Sequence, residues 1–484
     1  MLGLSVDKNN DISLYIQVYK QIKEKIIRGK LKAETKLPPI RMMANFLDIN
    51  PATVVKSYDL LKKENLIYQK VGSGTYVMER PLSHSIKNNE ELELLDYGQI
   101  KLNNHINFAS ATPGANLFPV DDFKYVLNKI LDRDGGEAFT YQKSQGYYPL
   151  RESIMDYLFQ NDIITDINSI QIVSGAQQAI DLLSKILIDF EDSILISEYT
   201  YSGAINAFRA RETKMISIPI EIDGMDLDRV EEIVKNREIK FVFVMTSFQN
   251  PSGISWSIEK KKRLIQLAER YNFYIIEDDC LSELYYNGEK NGANVAIKSL
   301  DKEDRVIYIK SFSKIFMPGL RLAFLVLPEK LMSPILAAKY ATDISSSGLN
   351  QRVFDFYLRE GLWIKHLNKM NKIFSERFKN MKRQIKFLLP DEITLVYEPE
   401  GGLYFWLSLP EGKNSEKFYL KALKNKIAFL PGNVFTIDNK INSFFRLSFA
   451  ALEEEEIKIG IKRLADIAKD FLGNNENKGY TPLL

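Results

Sequence analysis

Apolar residues recur at helical spacing in the first part of the chain. Four of them, at positions i, i+4, i+7 and i+11, predict an apolar stripe on a first helix: Tyr15, Tyr19, Ile22 and Ile26. After a loop with two adjacent prolines, the segment IRMMANFL (40–47) predicts a second helix. We expect three side chains of this helix to face inward: Met42, Met43 and Phe46.

A third helix follows a capping signal. Asn50 precedes Pro51, and an asparagine N-cap before a proline at the first helical position is a typical helix start. Five apolar residues predict the buried face of this helix and its exit: Val54, Val55, Tyr58, Leu61 and Leu66. The run LIYQKVGSGTYV then predicts a β-hairpin. Three helices followed by a hairpin are the outline of a winged helix-turn-helix domain.

From residue 106 onward, β-prone runs alternate with helical stretches. QIVSG precedes AQQAIDLLSKIL, SILISE precedes TYSGAINAF, and FVFVMTS precedes EKKKRLIQLAERY. Alternation over this length predicts an α/β domain with a mainly parallel sheet covered on both faces. No GxGxxG or Walker-type loop opens any of these helices, which argues against dinucleotide and P-loop nucleotide binding.

Charge is distributed unevenly in a chain of ordinary globular composition. The 484 residues carry a net charge of +2, but residues 1–80 contain 14 basic and 8 acidic side chains, so the remainder carries −4. A small basic domain on a mildly acidic body favours polyanion binding, and a solvated lysine-rich surface is the alternative. One cysteine and three dispersed histidines predict neither a disulfide framework nor a metal site. Without a long apolar run or a signal-peptide pattern, we expect a soluble cytoplasmic protein.

The N-terminal pattern resembles the GntR family of bacterial DNA-binding domains over residues 13–77. The resemblance rests on SLYIQVYKQIKEKIIRG, KLPPIRMMANFLDINPATVVKSYDLLKKENLIY and VGSGTYV. It implies binding to double-stranded DNA, with the start of the third helix in the major groove. The DNA-contacting residues that it implies lie on the second helix, the third helix and the wing: Arg41, Thr53, Lys56, Ser57, Lys70 and Ser73. Pro39 and Pro51 depart from the usual family residues, and a protein-contact module is the alternative.

Three features of the large domain fit an aldehyde cofactor. Such a cofactor needs a lysine amine for a Schiff base, a carboxylate on its pyridinium nitrogen and an anion site for its phosphate. Lys314 follows a predicted strand, and Asp278 ends the apolar strand YIIEDD. Gly175 opens a helix, whose N-terminus can hold a phosphate. Each feature alone is weak, because a single strand-end Asp or surface Lys is usually structural or solvated.

Taken in this order, the features resemble fold-type I pyridoxal 5′-phosphate (PLP) enzymes of the class I aminotransferase group, from Phe108 to Leu464. The resemblance implies that Lys314 forms the Schiff base and that Asp278 pairs with the pyridine nitrogen. It also implies a phosphate site built from backbone and side-chain donors: Gly175, Ala176, Gln177, Ser311, Ser313 and Arg321.

The same resemblance implies four further roles. Tyr201 would stack on the cofactor ring, and Asn250 would bond the ring hydroxyl. Arg446 would bind the α-carboxylate of a substrate or effector in the bidentate way that a guanidinium allows. Tyr141 would reach a phosphate in the neighbouring subunit, which implies a homodimer. The segment GGLYFWL (401–407) matches a stretch near the site entrance.

One departure bears on the chemistry. The aminotransferases place a tyrosine two or three residues after the pyridine aspartate, near the ring hydroxyl, where this chain has Cys280 and Leu281. Without that hydroxyl, we expect altered tuning of the Schiff-base pKa and reduced transamination. We interpret Cys280 as a small buried apolar residue. A second departure is Tyr199, where the E-x-P-x-Y stretch usually has proline.

A GntR-type winged helix joined to an aminotransferase-like domain is the architecture of the MocR subfamily of transcription regulators. We predict a DNA-binding domain at 1–80, a linker at 81–105, a PLP domain at 106–472 and a polar tail at 473–484. The predicted function is PLP-dependent regulation of transcription, in which an amino acid or amine effector shifts the large domain between states. The alternative is an active aminotransferase that transfers an amino group from an amino acid to a 2-oxo acid.

Overall fold

A computed structural model describes residues 2–8, 12–27, 30–64, 66–70, 72–78, 104–286 and 294–473. The chain divides into two compact units, Met1–Lys87 and Asn88–Leu484. The predicted linker, apart from its last two residues, and the predicted tail beyond Gly473 lie outside the described residues.

The N-terminal unit has the predicted order of three helices and a hairpin. Its elements are α1 (Leu14–Ile27), α2 (Ile40–Leu47), α3 (Pro51–Lys63), β1 (Ile67–Lys70) and β2 (Gly74–Val77). The strands pair antiparallel, with Ile67 opposite Val77. The Asn50 side chain caps α3 by accepting a hydrogen bond from the Ala52 N–H at 2.8 Å. The prediction of a winged helix-turn-helix domain is confirmed.

The predicted burial is wrong for three residues of this unit. Met42, Phe46 and Val55 are 51%, 48% and 38% exposed. Helix α2 has only eight residues, and it buries the face that carries Met43 and Leu47. Residues one position earlier in a helix lie about 100° away around its axis, so Met42 and Phe46 leave the core. Val55 is displaced in the same way, because its neighbour Val54 takes the buried position.

The described part of the C-terminal unit alternates helices and strands, as predicted. Its helices are α4 (Val120–Asp134), α5 (Tyr148–Phe159), α6 (Ala176–Leu187), α7 (Ser202–Arg209), α8 (Leu227–Asn236), α9 (Ile258–Tyr271), α10 (Ile297–Leu300), α11 (Glu329–Asp343), α12 (Gly348–Arg359), α13 (Leu362–Leu388), α14 (Ser415–Lys424) and α15 (Glu454–Gly473). None of the helices in the described ranges of the whole chain is long and apolar enough to cross a membrane.

Most strands of this unit belong to one large sheet or to a smaller one. They are β3 (Ile106–Asn107), β4 (Ile170–Val173), β5 (Ser193–Ser197), β6 (Lys214–Ile218), β7 (Ile220–Glu221), β8 (Gly224–Met225), β9 (Phe241–Val244), β10 (Tyr274–Asp279), β11 (Val306–Ser311), β12 (Ala323–Val326), β13 (Thr394–Leu395), β14 (Tyr404–Ser408), β15 (Ile427–Ala428), β16 (Leu430–Pro431) and β17 (Phe444–Ser448).

The large sheet has seven strands in the order β4-β12-β11-β10-β9-β5-β6. Only β12 runs antiparallel to its two neighbours, β11 and β4, so the prediction of a mainly parallel sheet is confirmed. The smaller sheet, β13-β14-β17-β16, is antiparallel. Strands such as β9 and β12 are buried along their whole length, as expected for a sheet that is covered on both faces.

The strand directions bring the predicted site residues to one edge of the sheet. Strands β9, β10 and β11 are parallel, and β4 runs the same way because β12 reverses between β11 and β4. Carboxyl ends of parallel strands form the usual ligand-binding edge of an α/β sheet. Asp278 is the penultimate residue of β10, and Gly175, Asn250 and Lys314 each follow a strand that ends at this edge.

Candidate functional site

Two adjacent aspartates at the end of β10 have different surroundings. The Asp279 carboxylate accepts hydrogen bonds from the Tyr308 hydroxyl at 2.6 Å and from Ser282 Oγ at 2.7 Å, and Lys310 Nζ lies 3.3 Å away. Asp278 is 4% exposed, and its Oδ1 has no hydrogen-bond partner among the described residues. Side chains alternate between the faces of a strand, so Asp279 joins an internal cluster while Asp278 is left for a ligand.

The Asp278 carboxyl is suited to a cationic partner. Burial raises its pKa to about 7, and the negative charge of Asp279 adds to this effect. A buried carboxylate without a partner is costly, and a protonated ring nitrogen would offset that cost. The carboxyl therefore fits the pyridine nitrogen of PLP.

Lys314 carries an amine that is suited to nucleophilic attack. Its pKa is lowered mainly by burial, and the positive charges of Arg446 and Arg321 act in the same direction. A lysine with a lowered pKa has more of its amine unprotonated at neutral pH, as attack on an aldehyde requires.

An anion-binding corner lies at the start of α6. Gly175 has φ +94°, and a Cβ built there would lie 2.4 Å from Arg321 Nη2, so only glycine lets this guanidinium approach so closely. Arg321 Nη2 donates to the Ser174 carbonyl at 3.1 Å. The sheet register aligns Ser311, Ala323 and Val173 in one row, which brings Ser311 near this corner. Helix-start N–H groups and a guanidinium together fit a phosphate.

Gln177 positions the predicted ring-stacking tyrosine. The Tyr201 hydroxyl donates to Gln177 Oε1 at 3.1 Å, and Gln177 Nε2 donates to the Gly203 carbonyl at 2.9 Å. Burial raises the pKa of Tyr201 to about 12, and the charge of Asp278 adds to it. The Gln177 side chain thus holds Tyr201, while its backbone lies in the first turn of α6.

Arg446 on β17 is a buried cation, and its hydrogen-bond partners among the described residues are an amide and a backbone carbonyl, not a carboxylate. Its Nη1 donates to Asn250 Oδ1 at 2.7 Å, and its Nη2 donates to the Ala109 carbonyl at 2.5 Å. Its Nε has no hydrogen-bond partner in the described ranges. Burial lowers its pKa to about 10. A bound carboxylate would satisfy this charge, and Asn250 links that carboxylate site to the predicted ring-hydroxyl site.

Three other predicted residues have distinct placements. Ser313 is partly buried, and its N–H donates to Ser311 Oγ at 3.4 Å. Tyr141 is 82% exposed, so its predicted contact with a neighbouring subunit stays a prediction. Cys280 is buried, and burial raises the pKa of its thiol, as expected for a small apolar residue.

Sequence reasoning missed the aromatic residues that surround Arg446. The guanidinium carbon lies 4.7 Å from the ring centre of Tyr404 and 5.3 Å from that of Phe435. Tyr404 belongs to GGLYFWL, the segment predicted to lie near the site entrance without a role for any one residue. Every residue of this apolar run is suited to the core, so the pattern alone does not separate the site wall from the interior.

In the N-terminal unit, the predicted DNA-contacting residues divide into accessible and buried ones. Arg41, Lys56 and Lys70 are exposed, and Thr53 is partly buried. Ser57 is 0% exposed. Its hydroxyl donates to the carbonyls of Tyr15 at 2.8 Å and Thr53 at 2.9 Å. The prediction that Ser57 contacts DNA is therefore corrected.

The wing residue Ser73 is partly buried, and its hydroxyl lies 2.6 Å from that of Tyr76. This bond ties the turn to strand β2, so Ser73 orders the wing whether or not it also reaches DNA.

Comparison with protein families identifies both units. Residues 111–464 match the family "Aminotransferase class I and II", and residues 14–77 match "Bacterial regulatory proteins, gntR family". The chain belongs to the class I and II aminotransferase family, and its N-terminal domain is of the GntR type. This combination is that of the MocR subfamily of transcription regulators, as predicted.

Relatives of two kinds are similar to this chain. Aromatic-amino-acid aminotransferase 1 of Thermococcus litoralis is 31% identical over 85% of this chain and 97% of the relative. The HTH-type transcriptional regulator NorG of Staphylococcus aureus is 30% identical over 90% of this chain and 99% of its own length. The probable rhizopine catabolism regulatory protein MocR of Rhizobium meliloti is 27% identical over 99% of this chain and 98% of its own length. The regulators span nearly the whole chain, and the aminotransferase leaves part of it unmatched.

A solved structure supports the cofactor. LysN, the α-aminoadipate aminotransferase of Thermus thermophilus, has a TM-score of 0.74 and 30% identity over 80% of this chain and 96% of its own. That structure is complexed with N-(5′-phosphopyridoxyl)-L-leucine. The fold-type I prediction is confirmed.

Replacing Asp278 by Asn tests whether its carboxyl is strained without the cofactor. In the PLP-free protein, Asp278→Asn should increase the free energy of unfolding at pH 8 by up to about 4 kcal/mol, because each pKa unit corresponds to about 1.4 kcal/mol. A raised folded-state pKa means that ionisation costs stability as the pH rises from about 4 to 7. The gain should therefore vanish near pH 4. Urea unfolding at several pH values measures it.

Asp279→Asn is the matched control with the opposite sign. Burial alone would raise the pKa of Asp279, but Lys310 and two hydroxyl donors lower it below its usual value. Its charge therefore stabilises the fold above pH 4, and the substitution should destabilise the protein at pH 8. If both variants lost stability equally at pH 8, Asp278 would not be an unpaired carboxylate.

Proposed function

We propose that occupancy of the Asp278–Lys314–Arg446 site by PLP and an amino acid controls how the GntR-type domain binds DNA. The protein is a transcription regulator with an aminotransferase-like domain, and the proposal concerns its effector and signal. The buried guanidinium of Arg446, without an acidic partner in the described ranges, carries the proposal, because it calls for a bound carboxylate.

The cofactor of this site is PLP. When bound, PLP supplies an aldehyde that reversibly takes up primary amines. Lys314 would hold it covalently, Asp278 would pair with its ring nitrogen, and Tyr201 would lie against its ring. The corner at Gly175 and Arg321, with Ala176, Gln177, Ser311 and Ser313, would bind its phosphate.

Arg446 and Asn250 select the effector by its carboxylate. A simple amine would leave the Arg446 charge unpaired, whereas an amino acid places its carboxylate there and its amine toward Lys314. We therefore favour an amino acid over an amine without an acid group.

We further propose a cytoplasmic homodimer. Phe139, Tyr141 and Tyr148 are 68%, 82% and 52% exposed within ten residues of one another, and such apolar exposure suits a subunit contact. A dimer carries two DNA-binding domains, which suits an operator with two half-sites.

We also propose the domain bounds. The DNA-binding domain spans 1–80 and the PLP domain spans 106–472, with a linker between them and a tail from 473.

The second candidate function is an active aminotransferase. Lys314, Asp278, Asn250 and Arg446 form the residue set that such an enzyme uses, and the relative from Thermococcus litoralis is named for this activity. Cys280 and Leu281 oppose this alternative, because the aminotransferases usually have a tyrosine at one of these two positions. The two candidate functions predict different responses to an added amino acid: a regulator changes its DNA affinity, and an enzyme carries out transamination.

The protein with bound PLP should absorb visible light, and Lys314→Ala should abolish that band. The Schiff base between the aldehyde and the Lys314 amine gives this band, and borohydride reduction should fix the label on Lys314. Absorbance spectra and peptide mapping measure both. Lys302→Ala, an exposed lysine, should keep the band. A reduced label found on another lysine would contradict the assignment.

DNA binding should depend strongly on salt and on two exposed cations of the N-terminal unit. Replacing Arg41 or Lys56 by Ala should weaken binding of the full-length protein. Each lost phosphate contact should reduce the slope of log K against log salt by about 1. Gel-shift titrations at several salt concentrations measure this. Lys20→Ala, which removes an exposed charge from α1, is the control, and an equal loss there would contradict docking through α2 and α3.

Arg446→Ala should keep PLP binding and basal DNA binding but lose the response to amino acids. Arg446→Lys should respond weakly, because lysine keeps the charge without the bidentate geometry. Spectral titration with single amino acids, followed by gel shifts with and without them, measures both. Rapid multiple-turnover transamination with a 2-oxo acid, and unchanged DNA affinity on adding the amino acid, would favour the enzyme.

A further inference from the structure

Tyr404, the first residue of β14, has a buried hydroxyl without a hydrogen-bond partner among the described residues. The side chain is 0% exposed. Buried tyrosine hydroxyls usually find a partner, because an unsatisfied one destabilises the fold. In a protein that binds a ligand, an atom left unsatisfied at the site wall indicates a contact that the ligand supplies.

The backbone and ring of Tyr404 are held in place. Strand β14 pairs with β17, and Tyr404 lies opposite Ser448 while Trp406 lies opposite Arg446. The guanidinium of Arg446 covers the Tyr404 ring at 4.7 Å. A Cβ at Gly253 would lie 3.0 Å from the Tyr404 carbonyl, so this backbone is also packed closely. The hydroxyl is thus presented by a fixed ring.

The surroundings of the hydroxyl are those assigned to the cofactor ring. Burial raises the pKa of Tyr404 above its usual value, and the groups that act on it electrostatically are Arg446, Cys280, Tyr201 and Asp278. Tyr201 and Asp278 are the proposed stacking and nitrogen-binding residues. The raised pKa keeps the hydroxyl protonated, so it is a hydrogen-bond donor at neutral pH.

Cys280 forms part of the same surroundings. It stands at one of the two positions, Cys280 and Leu281, where the aminotransferases place the tyrosine near the ring hydroxyl, and it lies within electrostatic reach of Asp278 and Lys314. A thiol is short and a weak donor. The wall that carries Cys280 therefore lacks a hydroxyl, and the wall that carries Tyr404 has a hydroxyl without a hydrogen-bond partner among the described residues.

We propose that the Tyr404 hydroxyl donates a hydrogen bond to the ring oxygen of bound PLP, where Cys280 supplies none. The proposal rests on the proposed function only in that the C-terminal unit binds PLP. Two donors then serve the ring oxygen, Asn250 from one element and Tyr404 from another. Arg446 contacts both, so a carboxylate bound at Arg446 acts on the ring oxygen through two side chains.

The test is Tyr404→Phe in the full-length protein loaded with PLP. The substitution removes one oxygen and keeps the ring beneath Arg446. Without the donor, the negative ring oxygen holds the proton on the Lys314 nitrogen more firmly. The pH midpoint of the visible absorbance change should therefore rise by about one unit, the shift expected from losing one hydrogen bond to a charged oxygen.

A second measurement separates cofactor contact from general packing. Tyr404→Phe removes an unsatisfied hydroxyl, so the PLP-free protein should melt no lower than the wild type. The increase in melting temperature on adding PLP should be smaller in the variant. Tyr419→Phe is the matched control, since Tyr419 is a buried tyrosine of α14 that packs against Phe429. It should change neither the pH midpoint nor the PLP-dependent stabilisation.

The outcomes are distinguishable. An unchanged midpoint in Tyr404→Phe, with the visible band intact, would overturn the role of Tyr404 and leave PLP binding standing. A shift in Cys280→Ala with none in Tyr404→Phe would assign the role to the thiol and also overturn the proposal. Absence of the band in the wild-type protein would overturn PLP binding itself. A raised midpoint in Tyr404→Phe alone would support the proposal.

Discussion

The site of the C-terminal unit depends on two charged groups that the fold buries without an ion-pair partner in the described ranges. Asp278 and Arg446 are 4% and 3% exposed, and taking such groups out of water costs several kcal/mol each. Nearby Asp279 shows the alternative, since Lys310 and two hydroxyls surround it. The same strand therefore contains one carboxylate used for folding and one kept for a ligand.

This arrangement requires that the backbone beneath each buried charge be held in place. A buried charge that lacks a partner tends to attract water, or its side chain rotates toward a polar group, unless its backbone is fixed. Asp278 is in the sheet between β9 and β11, and Arg446 is in a strand paired on both sides. Binding of a cofactor and a carboxylate then removes a cost that is already present. A ligand that removes such a cost favours the conformation in which the two charges face the ligand site. A regulator depends on such a ligand-driven shift between conformations.

The sequence predicted most of the fold and the charged part of the site, and it failed where geometry decides. Asn50-Pro51 located the start of α3, and the apolar run ending in Asp278 located β10, because both signals are local. Met42 and Phe46 were misplaced because the short helix α2 buries one narrow face and apolar character does not say which. Val55 was misplaced because its neighbour Val54 takes the buried position of α3. Ser57 was misassigned because its hydroxyl serves the backbone of α1. Tyr404 was missed because an apolar strand does not distinguish a wall from a core.

The exchange of Cys280 and Tyr404 bears on why such a site can serve regulation. Binding an amine at Lys314 and a carboxylate at Arg446 requires only that the groups be close and correctly protonated. Turnover also requires a proton transfer tuned near the working pH. The Tyr404 hydroxyl on β14 lies beside Arg446, so a carboxylate bound to Arg446 can affect it. A hydroxyl at position 280, directly after β10, would contact the cofactor alone. With Tyr404 in the proposed role, the hydroxyl lies on the carboxylate side, and this placement favours the proposed sensing of an amino acid over its conversion.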